Sequence, residues 1–81
     1  MAQQRVVVAG GGGFIGGHLV AELRCQRLAV RAVDVKPLAE WHQVFDDVEN
    51  VVADLQLEES CERACRGVDT VYQLAADMGG M

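Results

Sequence analysis

Residues 6–20, VVVAGGGGFIGGHLV, decide how the rest of the chain is read. Three valines and an alanine form a short run whose unbroken apolarity suits a strand covered on both faces. Four consecutive glycines follow. Beyond them Ile15, Leu19 and Leu23 recur every four positions, with Glu22 and Arg24 off that line, which predicts an amphipathic helix from Phe14 to about Gln26. A glycine turn between a strand and a helix offers backbone amides at the helix N-terminus to an anionic group. In the spacing G-x-x-G-x-x-G, Gly10 makes the turn, Gly13 admits a pyrophosphate close to the backbone, and Gly16 lets the helix pack tightly on the sheet. The same letters also read G-x-G-x-x-G from Gly11 to Gly16.

Downstream, LAVRAVD (28–34) returns to strand character and sets Asp34 at its end, 18 residues after Gly16. An acid there accepts hydrogen bonds from the 2′- and 3′-hydroxyls of a ribose and repels the extra phosphate of NADP, so NAD is the expected cofactor. Lys36 tempers that preference without reversing it. The alternative is that Asp34 starts a turn before Pro37. The segment LAEWHQVF (38–45) reads as a short helical turn or a loop. VENVVADL (48–55) predicts a third strand centred on Val51 and Val52, leaving Asp54 just past its end, either as an adenine contact or as a solvated carboxylate. Glu58 to Arg66 predicts a helix with its acids first and arginines late, as the macrodipole prefers, and Gly67 as its C-cap. DTVYQLAA (69–76) gives a fourth strand. The order strand, helix, strand, strand, helix, strand calls for an α/β fold, a doubly wound parallel sheet of four strands with right-handed crossovers.

Composition narrows the function. At 81 residues there is room for one small domain, burying about 60–65% of its unfolded surface, and such a core rarely supplies more than about 3–5 kcal/mol. A 51% hydrophobic content with one proline argues against disorder. The net charge of −5 and the scattered arginines disfavour nucleic acid as a partner. No run reaches the ~18 apolar residues of a membrane span, so a soluble cytoplasmic protein is the expectation. Cys25, Cys61 and Cys65 lack paired C-x-x-C spacing, and His18 and His42 lie far apart in sequence, so no metal site is expected. The cysteines read as reduced thiols in or near a core, the histidines as residues of the surface or of the layer behind a site, and Tyr72 as a strand residue packed against a helix.

The letters GGGGFIGGHL, the strand-end Asp34, ADL at 53–55 and LAA at 74–76 together resemble the extended short-chain dehydrogenase/reductase superfamily, the NAD-dependent sugar-nucleotide epimerases and dehydratases. LAADMGGM (74–81) looks like the loop of members that epimerise GDP-mannose. The resemblance implies a Rossmann-type sheet with Gly10, Gly13, Phe14 and Ile15 at the pyrophosphate, and Gly16 in the same cofactor-binding loop. It puts Asp34 at the adenosine ribose and Asp54 and Leu55 around adenine. Ala75 and Ala76 would lie beside the cofactor's second half, and Gly79 would line the sugar-nucleotide site. Ala9 and Gly17 depart from the family pattern, which often has threonine and then serine or alanine there. The family's catalytic Y-x-x-x-K pair is absent, since Tyr72 is followed by Ala76 at the fourth position. The expectation is therefore an N-terminal portion, with no catalytic residue of its own, of an NAD enzyme that is a homodimer at full length. A non-catalytic dinucleotide-binding module and a methyltransferase with a similar glycine turn are the competing readings.

Overall fold

Val6, Val7, Val8 and Ala9 are each no more than 1% exposed, which is why an uninterrupted apolar run is needed at this place in the chain. They belong to strand β1 (Arg5–Ala9), an interior strand of a sheet that is covered on both faces. A computed structural model describes residues 4–74. After β1 come helix α1 (Phe14–Cys25), strand β2 (Ala29–Asp34), a 3₁₀ turn (Leu38–Glu40), strand β3 (Glu49–Val52), helix α2 (Glu58–Cys65) and strand β4 (Thr70–Gln73). The strands are all parallel, in the order β3-β2-β1-β4. That order begins the doubly wound dinucleotide-binding sheet, so the expected α/β class is the one found.

The register aligns the strand ends. Ala9 pairs with Val33 on one side and Gln73 on the other, and Asp34 pairs with Val52, so the carboxyl ends of all four strands finish at one edge of the sheet. On one face Val6, Val8, Val30 and Ala32 pack with Val20 and Leu23 of α1 and with Trp41 and Val48. Tyr72 is half-buried against this cluster. On the other face Val7 and Val33 meet Ala64 of α2, with Val51, Ala53, Leu55 and Val68 half-buried around them. This second layer is thin, because Ala64 is the one buried residue α2 contributes. Arg31 anchors it, donating from Nη1 to the Ala64 carbonyl (2.6 Å) at the negative end of the helix.

Two expectations need correcting. Ile15 is 70% exposed, and the buried line of α1 runs through Gly16, Gly17, Val20 and Leu23. A strict four-residue recurrence advances about 40° per step around a helix of 3.6 residues per turn, so Ile15 drifts off the face that Leu23 occupies. Cys25 and Cys61 are exposed rather than near a core, and Cys65 is half-buried. Gly67, at φ 72°, takes the left-handed conformation expected just past the end of α2. Among the described residues no helix is long and apolar enough to cross a membrane.

Candidate functional site

The glycine turn is built on the end of β2. The Gly10 and Gly11 amides both donate to the Val33 carbonyl (2.8 and 3.0 Å), and the Gly13 amide donates to the Gly10 carbonyl (3.1 Å). Gly10 has φ 91°, which an L side chain rarely tolerates. A Cβ at Gly16 would fall deep inside the Gly10 carbonyl, and one at Gly11 would lie 2.9 Å from the Cβ of Ala32. Both glycines therefore serve close packing of turn, helix and sheet. Gly13 differs: a Cβ there would meet only the Gly10 oxygen, at 3.5 Å, so its outer side is open. The helix has neither a capping side chain nor an acid in its first turn. The Phe14, Ile15 and Gly16 amides, which precede the first intrahelical bond from Gly17 to Gly13, lack acceptors within the helix.

Asp34 ends β2 beside this turn. Its Oδ2 accepts from the Gly12 amide (3.0 Å) and its Oδ1 from the Lys36 amide (3.1 Å). The turn-starting and ligand-facing readings of this residue are thus compatible: a carboxylate has about four acceptor positions, and two backbone amides leave two for a diol. Asp54 likewise bends its own segment, its Oδ1 accepting from the Gln56 amide (2.9 Å) at the entry to α2.

A cleft of ≈ 680 Å³ lies beyond the carboxyl ends of the strands. Gly10, Gly13, Asp34, Lys36, Asp54 and Leu55 line it, with Gln73 and Leu74 closing the β4 side. This is the place where open parallel sheets bind ligands, and the size is that of a small-molecule site. Of the residues singled out from sequence, Gly10, Gly13, Asp34, Asp54 and Leu55 meet here. Gly16 is buried behind the turn. Phe14 and Ile15 are 61% and 70% exposed and do not line the cleft. Ala75, Ala76 and Gly79 lie outside the described residues.

Residues 38–45, whose letters fit a short helical turn or a loop, also support the glycine turn, a role with no local motif. Trp41 is 7% exposed and backs the glycine turn, while the His42 amide donates to the Gly12 carbonyl (2.8 Å). The signal was present in a lone tryptophan among few aromatics. His18 and His42, remote in sequence, each sit edge-on to Phe14, with ring centroids 4.6 and 4.8 Å away. Among the described residues no three metal-ligating side chains converge.

Asp34 thus keeps two free acceptor positions and Gly13 an open backbone face at this cleft. A model of the NAD dependent epimerase/dehydratase family matches residues 6–81. GDP-mannose 3,5-epimerase 1 of Oryza sativa subsp. japonica is 36% identical over 77 residues, covering 95% of this chain and 20% of that protein. The UDP-glucose 4-epimerase of Thermus thermophilus, solved with NAD, superposes with a TM-score of 0.76 at 34% identity over 91% of this chain and 24% of that one. MoeE5, solved with UDP-glucuronic acid and NAD, gives 0.73 at 37% identity over 93% and 23%. The chain spans about a fifth of the length of the curated relatives it matches.

Proposed function

We propose, for a chain that belongs to the NAD dependent epimerase/dehydratase family, the role of the cofactor-holding portion of an enzyme that epimerises a nucleotide sugar, with GDP-mannose as the substrate. The observation that carries this reading is the meeting of Gly10, Gly13, Asp34, Asp54 and Leu55 in one cleft at the carboxyl ends of the strands. In this role the open backbone at Gly13 and the first amides of α1 receive the pyrophosphate. Asp34 takes the adenosine ribose on its two remaining acceptor positions, and Leu55 offers an apolar wall to adenine beside Asp54. NAD held there would supply the hydride acceptor for a sugar carbinol and, once reduced, the hydride donor for the resulting ketone, whose neighbouring C–H is acidic enough to exchange. The residues that move those protons lie outside this chain, and the enzyme works as a homodimer.

The choice of GDP-mannose rests on the resemblance of LAADMGGM and on the rice and Arabidopsis thaliana relatives, each 36% identical. Calorimetric titration of NAD and NADP tests the cofactor site: NAD binds, NADP binds more weakly, and Asp34→Ala weakens NAD and narrows the gap. Incubating the full-length protein with NAD and GDP-mannose in deuterated water tests the reaction, with deuterium expected at C3 and C5 of the recovered sugar. Deuterium in UDP-glucose and none in GDP-mannose would reassign the substrate. NAD binding with neither exchange in, nor reduction of NAD by, any nucleotide sugar would make this a non-catalytic binding module.

A further inference from the structure

Behind the cleft, five residues close a circuit. Asp34 Oδ2 accepts from the Gly12 amide (3.0 Å), and the Gly12 carbonyl accepts from the His42 amide (2.8 Å). Trp41, next in the chain, donates its indole N–H to the Lys36 carbonyl (2.8 Å). The Lys36 amide returns to Asp34 at Oδ1 (3.1 Å). The indole also fills the space a side chain at position 12 would need: a Cβ there would lie 2.8 Å from its Cδ1 and Cγ. Glycine turn, strand-end acid and 3₁₀ turn are therefore tied together on the buried side.

Such a tie has a consequence for ligand binding. A carboxylate on two single bonds keeps one orientation only while its hydrogen-bond partners keep theirs. Both partners of Asp34 are backbone amides of residues that are also held one peptide further on, Gly12 at its carbonyl by the His42 amide and under the indole, Lys36 at its carbonyl by the indole N–H. Trp41 does not line the cleft, so any effect it has on a ligand passes through these neighbours.

We propose that Trp41 is a positioning residue for NAD. It fixes the Asp34 carboxylate and the Gly12 peptide in the orientation that receives the adenosine ribose and the pyrophosphate, and thereby supports the discrimination of NAD from NADP. This rests on the cofactor reading above. The indole N–H bond, a single neutral hydrogen bond, is worth about a fivefold change in an equilibrium.

The test is a set of NAD and NADP titrations on wild type, Trp41→Phe, Asp34→Asn and the double variant. Trp41→Phe keeps an aromatic ring and loses the N–H. The ratio of the NADP to the NAD dissociation constant should fall about fivefold in Trp41→Phe and show no further fall when the substitution is added to Asp34→Asn. A purely structural role lowers both affinities by the same factor and leaves the ratio alone, and that result overturns the proposal. Hydrogen exchange on the wild type supplies an arm free of variants: saturating NAD should slow the Trp41 indole N–H together with the Gly12 and Lys36 amides. Slowed amides with an unchanged indole overturn it too, whether or not Trp41→Phe folds. A wild type that binds no NAD removes the cofactor reading itself and this inference with it, a failure distinct from an unchanged ratio.

Discussion

Adding one methyl group at position 16 probes the tightest of the described glycine positions. A Cβ there would sit inside the van der Waals shell of the Gly10 carbonyl oxygen, 2.8 Å from the Gly10 carbonyl carbon and 3.0 Å from the Gly11 Cα. All three are backbone atoms of a turn that is held at both ends. Gly10 and Gly11 hang from the Val33 carbonyl, and the Gly10 carbonyl already holds the Gly13 amide. For α1 or the turn to withdraw, at least one of those bonds must lengthen. Overpacking of this kind costs about 1–3 kcal/mol, a strained turn bond adds about 1 kcal/mol, and the better helix propensity of alanine returns about 1 kcal/mol. The net is a loss of about 2 kcal/mol from a core that supplies about 3–5 kcal/mol.

Gly17 is the control. Its Cβ would meet the Cγ of Gln43 at 2.9 Å, the stem of a flexible side chain that can swing aside. Gly17→Ala should therefore keep most of the helix-propensity gain of about 1 kcal/mol. Melting curves by circular dichroism, with NAD titrations at the same pH, compare the two. Since 1 kcal/mol moves the midpoint of a domain this size by about 4–8 °C, Gly16→Ala should melt about 8–16 °C below wild type and bind NAD more weakly, whereas Gly17→Ala should melt at or above wild type. If Gly16→Ala melts with the wild type and binds NAD as well, the close packing of α1 on the glycine turn is not what requires glycine there.

Two further outcomes follow from titrating groups. Arg24 makes two 2.8 Å hydrogen bonds to Asp47, and its guanidinium holds that carboxyl below the ordinary value of 3.8. A depressed carboxyl contributes stability above its unfolded value and loses it as pH falls through the folded one. Asp47→Asn should thus melt slightly below wild type at neutral pH, with the gap closing below about pH 3.8 and in high salt; a gap independent of pH and salt would deny the pair any role. Burial, with Cys61 alongside adding to it, pushes the Cys65 thiol above 9.0. The folded chain then holds that proton to higher pH than the unfolded chain, so stability falls as pH rises past about 9.0, and Cys65→Ala should flatten the decline. Iodoacetamide with mass-spectrometric mapping should label the exposed Cys25 and Cys61 before Cys65, and simultaneous labelling would contradict the half-buried position.

Residues near one another in sequence announced most of the cleft at the strand ends. The strand before the glycines, the helix after them and the acid at the end of the next strand are local patterns, and each is set by a constraint the chain meets within a few residues. Residues 38–45 resisted the same reading because their ordering comes from elsewhere: Trp41 is held by the Lys36 carbonyl and the space over Gly12, and His42 by the Gly12 carbonyl. The roles of Gly11 and Gly12 were hidden for the same reason, since overlapping glycine frames look alike until Ala32 and Trp41 are seen to press on them.

By itself, then, the sequence determined the alternation of strands and helices, the parallel sheet, the glycine turn at the first strand end and the acid at the second. These follow from apolar periodicity and backbone freedom, which act over a few residues and so are written in consecutive letters. Tertiary structure decided which face of α1 is buried, how thinly α2 covers the sheet, and how Asp34 is aimed. Those depend on contacts between segments such as residues 12, 34 and 41, whose proximity is a property of the folded sheet and not of the order of the chain.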